Sequence, residues 1–371
     1  MLKPRSFVFG LIVSLIFIAL FFLTVDEKEM GNALADADLK YLVPAVALYF
    51  GAVFFRTLRW RYLLSPLRLF SWVRLFPVVV VGYMANNLLP VRLGEVARSY
   101  YLRQREDFSA SSALATIAVE RVYDGITLLM LALIAVPFLL TYGLLNEASN
   151  SQRWSWALLG GLAAAIFVTA ISVLTLLAVK PGFARTIYSL SRIFPSNVRP
   201  KVRELMGLFM EGLSVLREPR RHFGLFMWSL PIWLFEGGLY LLIAFSFNLH
   251  HVFEPAWLLV PVLLLVMAAS NLASSIPSSP GSIGTFEFPA AAALVLVGVG
   301  QGLAGAYSIL VHVVLLLPVT ILGLIFLWVG HVSLARLAKE SEALSGTSKG
   351  GPESVEGKIV ESLPSGEAES P

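Results

Sequence analysis

Residues 86–98 read NNLLPVRLGEVAR, and they interrupt apolar sequence with two amides, a proline, a glycine, a carboxylate and two guanidinium groups. In hydrocarbon an unsatisfied backbone amide or carbonyl costs several kcal/mol, so a helix exposed to lipid cannot be broken in this way. We therefore expect this stretch to be surrounded by protein or water at membrane depth. It is the first candidate for a functional site.

The composition indicates a membrane protein with several spans. The chain has 371 residues, of which 57% are hydrophobic and 14% are charged, whereas soluble domains carry about 25% charged residues. It has no cysteine, which excludes disulfides, thiolate catalysis and cysteine-bound metals. Among its five histidines only the adjacent pair His250 and His251 is close in sequence. We predict no metal site and no cofactor.

Apolar stretches of about 20 residues are needed to cross the hydrocarbon as helix. The first stretch follows Lys3 and Arg5 and lacks the small-residue cleavage site of a signal peptide, so it is interpreted as an uncleaved span. The sequence predicts an all-α integral membrane protein with about eight transmembrane helices, near 6–25, 41–58, 112–141, 155–179, 222–248, 256–276, 286–300 and 303–330.

The basic residues predict the orientation, because arginine and lysine collect in cytoplasmic loops. The loop after the second predicted span carries Arg56, Arg59, Arg61, Arg68 and Arg74 without an acid, and segment 180–221 carries nine basic residues. Segment 26–40 instead has five acids. We expect the basic loops and both termini to be cytoplasmic, in the inner membrane of a prokaryotic cell.

Two segments are predicted to be re-entrant. Segment 72–98 begins after a basic loop and is followed by further arginines, so a full crossing would reverse the charge bias of every later loop. A similar break recurs at 277–289, and paired interruptions in two halves of a transporter indicate a midplane site. The short match between the two breaks is compatible with an internal repeat and equally with none. The residues that break the backbone are Pro90, Gly94, Pro277, Pro280, Gly281 and Gly284.

The breaks also carry candidate substrate-binding side chains. Arginine matches phosphate with two parallel hydrogen bonds, while amides and serine hydroxyls suit sugar hydroxyls. Glutamates there could pair with arginine, receive an ammonium group or relay protons. Alternatively, the polar groups only satisfy the broken backbone. The predicted substrate-binding residues are Asn86, Asn87, Arg92, Glu95, Arg98, Ser282 and Glu287.

Two predicted spans contain ionisable side chains, which are costly in a membrane and usually face a cavity or a partner. Glu120, Arg121 and Asp124 lie within five residues, and Glu236 lies in the fifth predicted span beside two glycines. We predict that they support the site or carry a coupling proton. The alternative for the first three is a structural ion pair with Arg92 or Arg98. A single histidine such as His312 is more typical of packing.

The chain divides into a membrane domain over residues 1–335 and an acidic cytoplasmic tail over 336–371, which is too polar to fold. Residues 183–217 show helical apolar spacing with nearby basic residues, which suits a helix on anionic headgroups or an ordinary connecting helix. No enzyme constellation and no nucleotide-hydrolysing motif is found, and no catalytic residue or nucleic-acid partner is predicted. Transport would be passive or coupled to an ion gradient.

Three ordered blocks resemble the lysylphosphatidylglycerol synthase transmembrane region family, a flippase-like domain. They are Asn87-x-x-Pro90-x-Arg92-x-Gly94-Glu95-x-x-Arg98, Glu120-Arg121-x-x-Asp124 and Pro280-Gly281-Ser282-Ile283-Gly284-x-x-Glu287, and the similarity covers roughly residues 5–335. Ser282 stands where the family usually has a second glycine. The resemblance implies movement of a polar or modified lipid between leaflets. Because no folded aminoacyl-transferase domain follows Leu337, we expect no synthesis of aminoacylated lipid by this chain alone.

The leading hypothesis is therefore a lipid flippase or scramblase, not an enzyme, acting on an anionic or glycosylated headgroup. The alternative is a non-transporting partner of a membrane glycosyltransferase that uses lipid-linked sugars, or of cell-envelope lipid synthesis. A third hypothesis is a membrane enzyme that uses Glu120, Asp124 and Glu236 to modify a lipid chemically. Paired glycines such as Gly237 and Gly238 also permit a homo-oligomer.

If Arg92 binds the headgroup, Arg92→Ala reduces lipid transport more than a surface change such as Arg217→Ala. Transport by the two variants in liposomes measures the difference. Equal effects would remove Arg92 from the site.

Overall fold

A computed structural model describes residues 4–89, 93–145 and 213–344, together with single residues and short runs between 158 and 210. These residues contain helices and no strand. The helices are α1 (Pro4–Thr24), α2 (Glu27–Ala35), α3 (Leu42–Leu64), α4 (Trp72–Leu88), α5 (Gly94–Glu106), α6 (Ala110–Thr141), α7 (Pro219–Ser246), α8 (Leu259–Ala273), α9 (Glu287–Leu296), α10 (Gln301–Val329) and α11 (Leu334–Leu344).

The protein is a multi-pass α-helical membrane protein. Within the described ranges five helices are long and apolar enough to span a membrane, and the pair α1 and α2, bent by 85°, makes a sixth candidate. The predicted count of eight is approximate. Predicted span 155–179 lies largely outside the described residues, as do most of segment 183–217 and residues 345–371 of the tail. Helix α11 contains the predicted domain boundary at residue 335.

The first break forms a helical hairpin. A side chain on Gly82 would meet Arg98, and one on Gly94 would meet Asn86 and the Gly82 carbonyl, so α4 and α5 run antiparallel in close contact. At the other end Arg74 lies 3.2 Å from the Glu106 carboxylate. Both ends of the hairpin therefore lie at the same side of the protein, as predicted for a re-entrant segment.

Asn86 closes the tip of this hairpin. Its Oδ1 accepts a hydrogen bond of 2.8 Å from the backbone N–H of Gly94, which is at the start of α5 and has no partner within that helix. The side chain thus replaces the backbone hydrogen bond that the break removes. Pro90 and Arg92 lie outside the described residues.

The second break follows α8 and contains three residues in the left-handed region. These are Gly281 (φ 68°), Ser282 (φ 56°) and Gly284 (φ 85°). Such φ values favour glycine and cost other residues energy, so Ser282 occupies a position for which glycine is better suited. The next helix, α9, has only ten residues.

The prediction of a membrane-spanning helix over 286–300 is wrong, because the helix in this region, α9, is too short. Ten helical residues rise about 15 Å, half of the hydrocarbon thickness. Helix α9 therefore does not cross the membrane; it packs against α8 and α10 as the return arm of the second break.

The tips of the two breaks meet near the middle of the protein. A Cβ on Gly281 would lie 3.5 Å from the Asn87 carbonyl oxygen. The Asn87 amide donates to the Thr320 hydroxyl at 2.8 Å and to the Leu316 carbonyl at 3.2 Å, both on α10. The first hairpin is therefore fixed to the helix that follows the second break.

The fold predicts a definite labelling pattern for single cysteines in this cysteine-free chain. Leu69 and Arg103 are exposed; Leu69 precedes the hairpin, Arg103 lies in the last turn of α5, and Lys28 lies in α2. Leu69→Cys and Arg103→Cys should react with a membrane-impermeant thiol reagent from one side, and Lys28→Cys from the other. Reaction of the Leu69 and Arg103 positions from opposite sides would show that segment 72–106 crosses the membrane.

Candidate functional site

A cavity of about 310 Å³ lies between the two breaks. Residues from both breaks and from α3, α6, α7 and α10 enclose it, near the middle of these helices. Its lining is Tyr49, Arg56, Tyr83, Asn86, Asn87, Glu95, Arg121, Asp124, Gly125, Leu128, Trp233, Glu236, Asn271, Leu272, Ser274, Ser275, Gly281, Ser282, Phe286, His312, Leu315 and Leu316.

One wall of the cavity is charged, and an arginine that the sequence analysis placed in a loop is at its centre. Arg56 makes an ion pair with Glu236 on α7, and its Nη1 lies 3.7 Å from Asp124 on α6. Its guanidinium also lies over the Trp233 ring, 5.0 Å from the centroid. The predicted lone carboxylate of Glu236 therefore has a cation as its partner.

The interpretation of Arg56 and Arg59 as loop residues is wrong. Helix α3 continues to Leu64, and both arginines are buried in it. Arg56 and Arg59 are three residues apart, and the apolar Trp60 and Leu63 follow them. In a helix this spacing places both arginines on one inward face, which indicated that the helix continues.

Behind the cavity Glu120 joins three helices. Its Oε1 accepts from Arg59 on α3 at 3.1 Å, and its Oε2 accepts from Arg98 on α5 at 2.9 Å. Glu120 is fully buried, and the Arg98 guanidinium stacks 3.8 Å from the Trp60 ring. Glu120 and Arg98 do not line the cavity. This arrangement is a structural ion pair between Glu120 and Arg98, which was one of the alternatives predicted from the sequence.

Arg121 is the most accessible guanidinium of this network. Its side chain is 30% exposed and lines the cavity. It lies 3.1 Å from Asp124 and 3.6 Å from Glu120. Asp124 is also held by Arg59 at 2.7 Å. Of the charges predicted on α6, Arg121 and Asp124 therefore lie where a ligand can reach them.

The opposite wall is neutral and polar. It consists of Asn271 near the end of α8, Ser274 and Ser275 directly after this helix, and Ser282 in the second break. The Asn271 amide donates to Tyr240 at 3.1 Å and to the Met267 carbonyl at 3.0 Å. Ser282 was predicted to lie in the site, whereas Asn271 was not.

Trp233 was also missed. It is 4% exposed and lines the cavity, and none of the described residues accepts a hydrogen bond from its Nε1. A buried donor without a partner costs about 1–3 kcal/mol. An oxygen acceptor in the cavity would remove this cost.

The amides of the first break line the cavity but also have structural partners. Asn86 holds Gly94 and donates to Glu95 at 3.4 Å, and Asn87 holds α10. Asn86 therefore satisfies the broken backbone, as in the alternative stated for these residues, whereas Asn87 attaches the break to α10. Glu95 itself lines the cavity.

Glu287 pairs with a histidine rather than with an arginine. Its Oε1 lies 2.6 Å from His312 Nδ1, and its Oε2 accepts from the Gly284 N–H at 2.7 Å. His312 lines the cavity, whereas Glu287 lies behind it. His312 was interpreted as a packing residue because a single histidine on an apolar helix is more often a hydrogen-bonded packing residue.

The comparisons with known proteins agree with this architecture. The model of the lysylphosphatidylglycerol synthase TM region family matches residues 7–323. The chain belongs to this family. A UPF0104 membrane protein of Methanothermobacter thermautotrophicus is 25% identical over 291 residues, 75% of this chain and 81% of that protein. One of Pyrococcus horikoshii is 25% identical over 328 residues, 84% of this chain and 92% of that protein.

A further relative has a different name. Glycosyltransferase AglD of Haloferax volcanii is 26% identical over 311 residues, 77% of this chain. The match covers 49% of AglD, so the chain spans about half the length of that protein. No solved structure matches the chain.

Glu120→Ala should destabilise the protein strongly, because it leaves Arg98 buried without its carboxylate. Removing one partner of a buried ion pair costs about 3–5 kcal/mol. The surface pair is the control: Arg74 is 66% exposed, and Arg74→Gln should cost at most about 1 kcal/mol. Thermal midpoints of the detergent-solubilised variants measure both. Equal midpoints would contradict a structural role for Glu120.

Proposed function

We propose that the protein moves a polar lipid headgroup between the leaflets of the membrane, as a flippase or scramblase, and has no catalytic role. The observation that carries this proposal is one polar cavity that both breaks line, enclosed by helices long enough to span the membrane. A headgroup is too polar to cross hydrocarbon unaided, and such a cavity offers it hydrogen bonds along the way.

The pairing of the charges supports this use. An isolated charge in hydrocarbon is costly, whereas Glu236 pairs with Arg56, and Asp124 pairs with Arg59 and Arg121, beside the cavity. The network keeps polar groups at membrane depth when no ligand is present. A phosphate can then exchange with a carboxylate at the accessible Arg121, and hydroxyl groups can bond to the serine and asparagine wall.

The mouth of the cavity suits a lipid. Ser275 is the exposed member of the lining, and the apolar Leu88, Ile276 and Ile283 near the two tips are 37%, 41% and 48% exposed. A headgroup can enter beside Ser275 while its acyl chains remain against these apolar side chains.

The match to AglD favours a second candidate function. That relative is named a glycosyltransferase, and the region shared with this chain is about half of it. In this alternative the cavity holds a lipid-linked sugar for a separate membrane glycosyltransferase and does not transport it. Copurification of such an enzyme, without leaflet exchange, would support this alternative.

Leaflet exchange of fluorescent lipids in liposomes tests the proposal. Ser275→Trp fills the cavity mouth without removing a charge, and we expect it to slow exchange at least tenfold. Ser333→Trp is the matched control at an exposed serine away from the cavity, and exchange should remain at the wild-type rate.

Arg121→Gln should also slow exchange of anionic lipids, because it removes the accessible guanidinium. Arg103→Gln removes an exposed arginine outside the cavity and is its control. If folded wild-type protein exchanges no lipid, or if the two tryptophan variants behave alike, the transport proposal fails.

A further inference from the structure

The serines of the neutral wall already donate their hydroxyl hydrogens to the protein. Ser274 and Ser275 donate to the Asn271 carbonyl at 2.9 and 3.1 Å, and Ser282 donates to the Ser274 carbonyl at 3.4 Å. A carbonyl oxygen only accepts, and a hydroxyl has one hydrogen. What each serine still offers a ligand is therefore the lone pairs of its oxygen.

The side chain of Asn271 is oriented in the same sense. Its Nδ2 donates to the Tyr240 hydroxyl at 3.1 Å and to the Met267 carbonyl at 3.0 Å. Because the Met267 carbonyl cannot donate, the nitrogen of the amide and not its oxygen must face it, and both amide hydrogens are used. Asn271 Oδ1 has no hydrogen-bond partner among the described residues. It remains as an acceptor for a ligand.

A wall of oxygen acceptors selects a ligand that has hydrogens to donate. Phosphodiester oxygens only accept, so they do not fit this wall. An ammonium group donates, but it is charged and loses its hydration on entering, and the neutral wall offers it no carboxylate in return. Hydroxyl groups donate without carrying a charge, so they fit the wall at the lowest desolvation cost.

Trp233, on the charged side of the cavity beside Arg56, makes the opposite demand. Its indole N–H is buried and has no acceptor among the described residues. An indole N–H only donates, so this position takes an oxygen with a free lone pair. A group of hydroxyls meets both demands, because each hydroxyl donates one hydrogen bond and accepts others.

The rest of the lining is apolar in part. Leu272 of α8, Leu315 and Leu316 of α10, and Phe286 border the same cavity. A sugar ring has C–H faces as well as hydroxyl edges, so it suits a lining that combines apolar side chains with a few polar groups. The volume of 310 Å³ is near the lower end of the range for small-molecule sites, about 300–1,000 Å³, and has room for one sugar ring.

We propose that the cavity recognises the sugar of a glycosylated lipid, whose hydroxyl groups donate to Asn271 Oδ1 and to the Ser275 oxygen while one sugar oxygen accepts from Trp233 Nε1. Trp233 and Asn271 are the specificity-determining residues. This inference rests on the proposed function and specifies its substrate class: lipids with a sugar headgroup, in preference to lipids whose headgroup ends in a phosphate or an ammonium group.

Calorimetric titration of the protein in phosphatidylcholine nanodiscs tests this inference, with hexyl glucoside as the probe and empty nanodiscs as the background. Nanodiscs avoid sugar-based detergents, which would compete for the site. The matched probe is the fully O-methylated ether of the same glucoside, which keeps every oxygen acceptor and loses every donor. We expect the ether to bind at least about tenfold more weakly, because the acceptors of the wall stay unpaired.

Two variants separate the two demands. Trp233→Phe keeps an aromatic ring but removes the N–H, and should weaken glucoside binding about fivefold, the effect of one hydrogen bond. Trp257→Phe is its control, because Trp257 is 45% exposed and outside the lining. Asn271→Leu keeps the side-chain volume but removes the acceptor, so the glucoside and its ether should bind more equally. Ser275→Ala makes the same test at an exposed position if Asn271→Leu does not fold.

Three results would overturn the inference and leave the transport proposal to the exchange assay. They are equal binding of the glucoside and its ether by wild-type protein, tighter binding of dihexanoyl phosphatidylethanolamine than of the glucoside, and no binding by folded protein. Free glucose that binds as tightly as the glucoside would overturn the assignment to a lipid. Glucoside binding by a protein that exchanges no lipid would uphold the sugar site and contradict transport.

Discussion

The buried ion pairs of Glu120 are the interaction on which the rest of the architecture depends. This carboxylate holds Arg59 of α3 and Arg98 of α5 at once, from its own position on α6. In a membrane there is no hydrophobic driving force between helices, so packing and polar contacts determine how they associate. Because α5 is the polar arm of the first hairpin, its attachment to α3 and α6 places the break beside the cavity.

The same network separates two roles that the sequence could not distinguish. Arg98 and Glu120 are buried and act as a structural pair, whereas Arg121, the next residue of α6, and Asp124, one turn after Glu120, line the cavity. Asn86 similarly completes the backbone at the first break and Asn87 ties it to α10, while both contribute to the lining. A site at membrane depth requires this combination, since each polar group needs a partner when the cavity is empty.

Much of the fold was predictable because helices in a membrane carry strong local signals. The apolar lengths predicted α1, α6, α7, α8 and α10 within a few residues but ended α3 six residues early, and the proline and glycine positions with the charge bias predicted both breaks. The residues around the cavity were harder. Arg56 was missed because the basic residues after Phe55 resemble a loop, although their helical phase is inward.

Long-range partners explain the remaining differences. Glu287 and His312 lie on different helices, so neither periodicity nor spacing in the sequence predicts that they pair. Trp233 has the same sequence pattern as any apolar helix residue, and only the structure shows that its indole N–H has no acceptor among the described residues. The length of α9 depends on the return of the chain from the second break, which local composition does not encode. Sequence patterns thus predicted where the chain breaks, and packing determined which side chains the breaks bring together.

The central claim is that the headgroup passes through the cavity between the two breaks. Photo-crosslinking with a lipid that carries the reactive group in its headgroup, followed by mass spectrometry of the peptides, tests this most directly. The account predicts adducts on residues 83–95 and 271–286, with loss of these adducts in Ser275→Trp. Adducts confined to the lipid-facing surfaces of α1 and α10 would contradict it.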